Sequence, residues 1–299
     1  MPKIVLDKVL EGLMTRYKER VPDVQGVINA MIKEGVIANA NEIENDHIAF
    51  RTMGVANLGI RSLEKIFLHN GYTRRDHYFF PAKKLDAYWY APPSPEYPRI
   101  FISELIVEDL SKNAQEIIHS YTDEVTSDPV DVIDLNDANA VDHFLHSGLW
   151  HLPTLKDFLT LSSESEYAAW VIYNRYYLNH FTVSVHNLKK GYNTIANFNS
   201  FLERNEFKLN DSGGKIKTSP DGNLLQSSTV AEMINATFAN DVKHMISGSY
   251  VEFAERKVLK QYEDLSADEL KREHRREGFE AGNADKIFES TYASQTDKR

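Results

Sequence analysis

Two histidines and one glutamate carry the most suggestive chemistry in this chain. His47 lies in Asn45-Asp46-His47-Ile48-Ala49-Phe50-Arg51, a short, partly β-branched run that predicts a strand over 47–52. Side chains alternate along a strand, so His47, Ala49 and Arg51 share one face. At about 3.3 Å per residue, Arg51 sits roughly 13 Å along the backbone from His47, and its long side chain can reach back toward whatever His47 binds. His180 lies in Tyr176-Tyr177-Leu178-Asn179-His180-Phe181-Thr182. On a strand over 179–185, His180, Thr182, Ser184 and His186 fall on one face, which suits a metal-lined cavity and equally suits solvent. Glu252 shares its strand face with Tyr250 and Ala254. Taken singly, each also fits a plain role: a packed histidine beside a surface arginine, a polar strand face, a solvated glutamate. Two imidazoles and one carboxylate on separate strands can form the facial triad of non-haem Fe(II) enzymes, which leaves positions open for substrate and O2. The same donors accept Zn(II), Mn(II), Ni(II) or Co(II). Spacing alone does not select this trio from 11 histidines and 44 acidic residues.

Rival motifs carry less. His143 and His146 fall one helical turn apart on a predicted helix, without the intervening glutamate of a metalloprotease helix. They read as its polar face, with Leu145, Leu149 and Trp150 as the buried one. No G-x-S-x-G, G-x-x-x-x-G-K-[ST] or G-x-G-x-x-G occurs, which removes the usual hydrolase, P-loop and dinucleotide fingerprints. Lys271-Arg272-Glu273-His274-Arg275-Arg276 is a basic run broken by an acid and reads as a solvated helix face. The net charge of −10 repels phosphate backbones and argues against a nucleic-acid partner. The absence of cysteine removes disulfides, thiolate nucleophiles and Cys-based metal sites. No apolar run approaches the roughly 20 residues of a membrane span. The N-terminal 21 residues scatter charges where a signal peptide has an apolar centre. These features predict a soluble, cytoplasmic protein with no membrane partner.

The elements that must position the trio follow from periodicity. The 299 residues include 42% hydrophobic ones, enough for a sizeable core. Helical spacing predicts two helices near the N-terminus, divided at Pro22 and ended at Gly35. A strand (47–52), a helix (57–69) and strands at 76–80, 85–90 and 99–105 follow. Residues 107–121, 137–149 and 155–177 are predicted helical. The second half repeats the outline: strand 179–185, helix 195–205, a turn-rich stretch over 210–223, and strands at 231–238 and 249–256. A charged helical tail begins at 265. Each half opens with a histidine on a strand (His47, His180) and closes with a glutamate on a strand (Glu104, Glu252). The predicted fold is α+β: two β-α-β-β-β-like modules forming a curved mixed sheet around a metal site, with N-terminal, middle and C-terminal helices. As a single catalytic domain over 1–299, it divides into a helical N-terminal cap (1–40), a first module (41–106), a helical insert (107–178), a second module (179–258) and a helical tail (259–299).

Several strings together carry a family resemblance. They are Asp46-His47-Ile48-Ala49-Phe50-Arg51, Arg99–Leu105 (RIFISEL), Asn179-His180-Phe181-Thr182, Leu224-Leu225-Gln226-Ser227-Ser228-Thr229, Gly248-Ser249-Tyr250-Val251-Glu252-Phe253 and Ile287-Phe288-Glu289-Ser290-Thr291-Tyr292. Their order and joint presence resemble the 2-oxoadipate dioxygenase/decarboxylase family, the D-2-hydroxyglutarate synthases. The resemblance implies a vicinal-oxygen-chelate-like fold with one Fe(II) held by His47, His180 and Glu252. It implies that Arg51 grips a substrate carboxylate through a planar fork and that Gln226 lines the substrate pocket. No ligand role passes to Glu104, although it closes the first half as Glu252 closes the second. The implied partners are a small 2-oxo acid and O2. The implied reaction is oxidative decarboxylation with hydroxylation of the same molecule, 2-oxoadipate giving 2-hydroxyglutarate. Two alternatives use the same scaffold: a Zn(II) or Mn(II) hydrolase or isomerase that consumes no O2, and a non-enzymatic small-molecule-binding protein.

Overall fold

The computed structural model describes residues 2–299. Helices α1 (Pro2–Arg20) and α2 (Pro22–Lys33) form the N-terminal pair. Pro22 opens α2, where its missing N–H has no helical partner to lose. The first module comprises β1 (Asn45–Met53), α3 (Ile60–His69), β2 (Thr73–Phe80), β3 (Leu85–Ala91) and β4 (Arg99–Leu105). The helical middle holds α4 (Lys112–Thr122), α5 (Ala138–His146), α6 (Leu155–Glu164) and α7 (Glu166–Asn174). The second module comprises β5 (His180–Ser184), α8 (Ile195–Arg204), β6 (Lys217–Thr218), β7 (Leu224–Ser228) and, after a hairpin of β8 (Met233–Thr237) and β9 (Lys243–Ser247), β10 (Tyr250–Arg256). Helices α9 (Ala281–Phe288) and α10 (Ala293–Thr296) end the chain.

Eight strands form one curled mixed sheet in the order β2-β3-β4-β1-β5-β10-β7-β6. The modules meet where β1 pairs antiparallel with β5. Within them, β1 runs parallel to β4 and β5 runs parallel to β10. This is the α+β, two-module architecture predicted from the sequence. Central strand β1 is buried from Asp46 to Met53, as expected of a strand covered on both faces. Helix α3 buries Leu63, Ile66 and Phe67, and the Phe67 and Phe50 ring centroids lie 5.5 Å apart.

Register corrects one sequence inference. His47 pairs with Arg99, and His180 pairs with Tyr250. Counting forward along β4 and β10 from those partners aligns Glu104 with Glu255, and Glu252 with Phe101. Glu104 accepts the Ile60 N–H at 2.6 Å, and Glu255 accepts the Ile195 N–H at 2.7 Å. Each caps the positive end of its module's helix. Burial raises the Glu104 pKa, and the Ile60 N–H opposes the rise. Gly59, at φ +82°, makes room: a Cβ there would lie 2.1 Å from the Glu104 carboxylate.

Three other differences have local causes. The helix predicted over 155–177 divides at Ser165, whose extended backbone lets its hydroxyl accept the Ala168 N–H; serine favours that capping role over a helix interior. The strand predicted at 231–238 becomes β8, in a separate hairpin with β9. Its expected place in the sheet goes to β7, too short and polar for alternation to reveal. The tail over 259–280 holds no α-helix among the described residues, only single 3-10 turns at Lys260–Tyr262 and Arg272–His274 joined by bends and irregular chain. Arg272 donates to the Pro95 and Tyr97 carbonyls, Arg275 to Arg256 and Arg276 to Phe279. The basic run is therefore a set of clamps fastening an irregular segment to the sheet, and not a solvated helix face.

Candidate metal centre

His47, His180 and Glu252 come from β1, β5 and β10, three adjacent central strands. All three are buried, and one ligand atom from each lies within 4.8 Å of the others. His180 Nε2 is 3.0 Å from one Glu252 oxygen, and His47 Nε2 is 3.4 Å from the other. The far side of each ring is tied by the residue just before it: His47 Nδ1 bonds Asp46 Oδ1 at 2.8 Å, and His180 Nδ1 bonds Asn179 Oδ1 at 2.9 Å. Adjacent strand residues normally point to opposite faces. Asp46 and His47 fall within the register shift between Asn45 and Ile48, where the regular alternation is broken. With each Nδ1 donating to its oxygen, each Nε2 presents its lone pair on the Glu252 side, where the Thr182 hydroxyl also lies 3.0 Å from His47 Nε2.

A second layer supports these donors. Asp46 accepts from Arg256 Nε at 2.7 Å and Nη2 at 2.9 Å, and from Arg99 Nη1 at 3.3 Å. Burial opposes its ionisation, but Arg256 and Arg99 overcome this and hold the carboxyl well below the usual range. Gln226 Nε2 donates to Glu252 Oε1 at 2.6 Å, and its own oxygen accepts from Asn283 at 3.0 Å. Gln226 thus orients Glu252 as well as lining the pocket. Burial opposes the Glu252 charge, yet the two imidazoles hold its pKa far below the ordinary value. For His47, burial is outweighed by Glu252 and Asp46 and the pKa rises; for His180 burial prevails and it falls. Two oriented imidazole nitrogens and an ionised carboxylate make a donor set that suits a divalent cation.

A small cavity of about 20 Å³ adjoins the trio, walled by Ala49, Phe50, Phe101, Phe279, Ile287 and Phe288. Arg51 lines it and is itself buried. Its Nη1 donates to Thr291 Oγ1 at 2.9 Å and its Nη2 to the Phe288 carbonyl at 3.1 Å. Trp170 and Tyr167 face its guanidinium at 5.1 and 5.3 Å.

The rival candidates sit elsewhere. His143 is exposed, and His146 bonds the Asp142 carbonyl at 2.8 Å. His186 lies in a turn after β5 and accepts the Arg256 N–H at 3.2 Å. Burial lowers its pKa to about 4. The unfolded chain therefore takes up this proton near pH 6.5 and the folded chain only near 4, so stability falls as pH drops between those values. In urea melts of metal-free protein, His186→Gln should lose about 2 kcal/mol less stability than wild type between pH 7 and 4.5. An identical pH dependence in both would show that His186 is not held neutral.

Sequence reasoning assigned no role to Asp46, Asn179, Arg99, Arg256 or Asn283. One signal was available: an Asp or Asn immediately precedes the histidine in both modules.

The 2-oxoadipate dioxygenase/decarboxylase family model matches residues 9–271. The Arabidopsis thaliana 2-oxoadipate dioxygenase/decarboxylase, chloroplastic, is 44% identical, covering 97% of this chain and 78% of that protein. The Oryza sativa protein of the same name, chloroplastic/amyloplastic, is 47% identical, covering 97% and 80%. The crystal structure of hydroxyglutarate synthase from Oryza sativa in complex with 2-oxoadipate superposes with a TM-score of 0.86 at 43% identity, covering 96% of this chain and 92% of that one. The plastid location of these relatives overturns the cytoplasmic expectation. Charge and apolar-run length describe how the folded domain meets water; a compartment address is read by receptors and leaves no mark on that composition. Among the described residues no helix is long and apolar enough to cross a membrane.

Proposed function

The chain belongs to the 2-oxoadipate dioxygenase/decarboxylase family, and from that premise we propose that it converts 2-oxoadipate and O2 into 2-hydroxyglutarate and CO2. The observation that carries this reading is the convergence of His47, His180 and Glu252 beside a largely apolar pocket that also holds a buried arginine. In this reading His47, His180 and Glu252 hold Fe(II), which supplies O2 activation and Lewis acidity toward the 2-oxo acid. Asp46 and Asn179 keep both imidazoles in the ligating tautomer, and Gln226 fixes the carboxylate. Arg51, its two Nη groups already anchored, meets the substrate carboxylate remote from the metal as the pocket walls part to admit it. The phenylalanine walls keep water from the reacting end. The whole chain acts as one catalytic unit: metal ligands come from both modules, and the segment after β10 closes the pocket.

Fe(II)-loaded protein prepared without oxygen and then mixed with 2-oxoadipate and O2 tests this. One O2 should disappear for each CO2 and each 2-hydroxyglutarate formed. Product without O2 uptake would indicate a hydrolase or isomerase, and binding without turnover a binding protein; either outcome overturns the proposal.

A further inference from the structure

Among the described residues, three buried polar side-chain atoms without a hydrogen-bond partner belong to residues lining the pocket beside the trio: Arg51 Nε, the Tyr250 hydroxyl and Asn179 Nδ2. Asn179 is already tied through its oxygen to His180. Arg51 and Tyr250 are almost wholly buried, and an unpaired donor in such a place is costly. Each carries a proton to donate, and one sits on a cation; the Tyr250 oxygen can also accept from Arg51. The free protons call for an acceptor, and an anionic one.

Strand register says where that acceptor sits. Ala49 pairs with His180, and His180 pairs with Tyr250, forming one row across β1, β5 and β10. The Tyr250 and His180 rings lie 4.8 Å apart at 30°. One pleat repeat to one side of the row are His47 and Glu252. One repeat to the other side, on β1, is Arg51. A pleat repeat is about 6.8 Å, so a ligand running from the trio to Arg51 crosses the Tyr250 row. The outer rows lie two repeats, about 13.6 Å, apart along the backbone, a distance that an elongated diacid closes when the long Arg51 side chain reaches back along the sheet. The Tyr250 backbone is pinned as well, since its carbonyl accepts from the Tyr17 hydroxyl.

We propose that Tyr250 is a substrate-binding residue whose phenol, together with Arg51 Nε, holds the carboxylate remote from the metal and so selects dicarboxylic over monocarboxylic 2-oxo acids. This rests on the proposed function above and adds a specificity determinant to it. Removing the hydroxyl gives up its contact with Arg51 but leaves the ring packed on His180, so Tyr250→Phe changes one polar atom in the pocket.

The test uses Fe(II)-loaded enzyme with 2-oxoadipate and with 2-oxohexanoate, which replaces the remote carboxylate by a methyl group. Tyr250→Phe should raise KM for 2-oxoadipate roughly 10- to 100-fold, the loss of one hydrogen bond to a charged group. Its kcat should change less than about threefold, because the interaction is made equally in the ground and transition states. KM for 2-oxohexanoate and the iron content should stay at wild-type values. An unchanged KM for 2-oxoadipate, or an equal rise for both acids, overturns the role of Tyr250. Anaerobic equilibrium binding of both acids separates the two levels. A wild type that binds neither acid overturns the proposed function and this inference together. A wild type and a Tyr250→Phe variant that bind 2-oxoadipate equally overturn only this inference.

Discussion

His180→Ala should abolish metal retention and O2 consumption together. The imidazole is one of three donors gathered on adjacent strands, and its loss leaves Glu252 and His47 as an incomplete pair. After gel filtration the variant should hold roughly a tenth or less of the wild-type iron, with O2 uptake on 2-oxoadipate down about a thousandfold or more. Thermal melts should separate the site from the fold. Wild type should gain about 4 kcal/mol of stability at a metal concentration a thousand times its Kd, and the variant almost none. The metal-free proteins should melt as single cooperative transitions. Full iron occupancy in a folded variant would remove His180 from the site.

Asp46→Asn should be the most destabilising conservative change near the centre. Among the described residues Asp46 is the one carboxylate bonded by both Arg256 and Arg99, while Arg99 also reaches Glu277 at 2.7 Å. Neutralising it leaves Arg256 as a buried cation without its carboxylate partner. Breaking a buried pair in this way costs about 3–5 kcal/mol, read as a lower urea midpoint in metal-free protein. The same change weakens the hold on His47 Nδ1. Loss of such an outer partner lowers metal affinity roughly 10- to 100-fold, measurable by competition with a chelator. A variant within about 1 kcal/mol of wild type, with unchanged metal affinity, would show that the Arg256–Asp46–His47 chain supports neither fold nor site.

Much of this architecture was legible locally. The strand predicted at 99–105 coincides with β4, and the helices after each opening strand were found within a few residues. Alternation and helical spacing are properties of neighbouring residues, so one chain displays them without its partners. His47, His180 and Glu252 were legible as candidates because two imidazoles and an acid on strands make a recognisable donor chemistry, and the motif order pointed to a family. Gln226 was placed at the pocket, but its bond to Glu252 was invisible, since β7 itself escaped notice.

Most element types were thus set by residue order over a few positions, while the trio was singled out by the order of motifs that resembles a family, since spacing alone leaves it unselected. Which glutamate mirrors which was decided by strand pairing: Glu104 answers to Glu255 as a helix cap, while Glu252 turns inward. The path of residues 259–280 was likewise decided by distant carbonyls that capture Arg272, Arg275 and Arg276 against their local helical preference. Both outcomes rest on hydrogen bonds between segments far apart in the chain. Their strength comes from burial, and burial exists only once the sheet has closed around them.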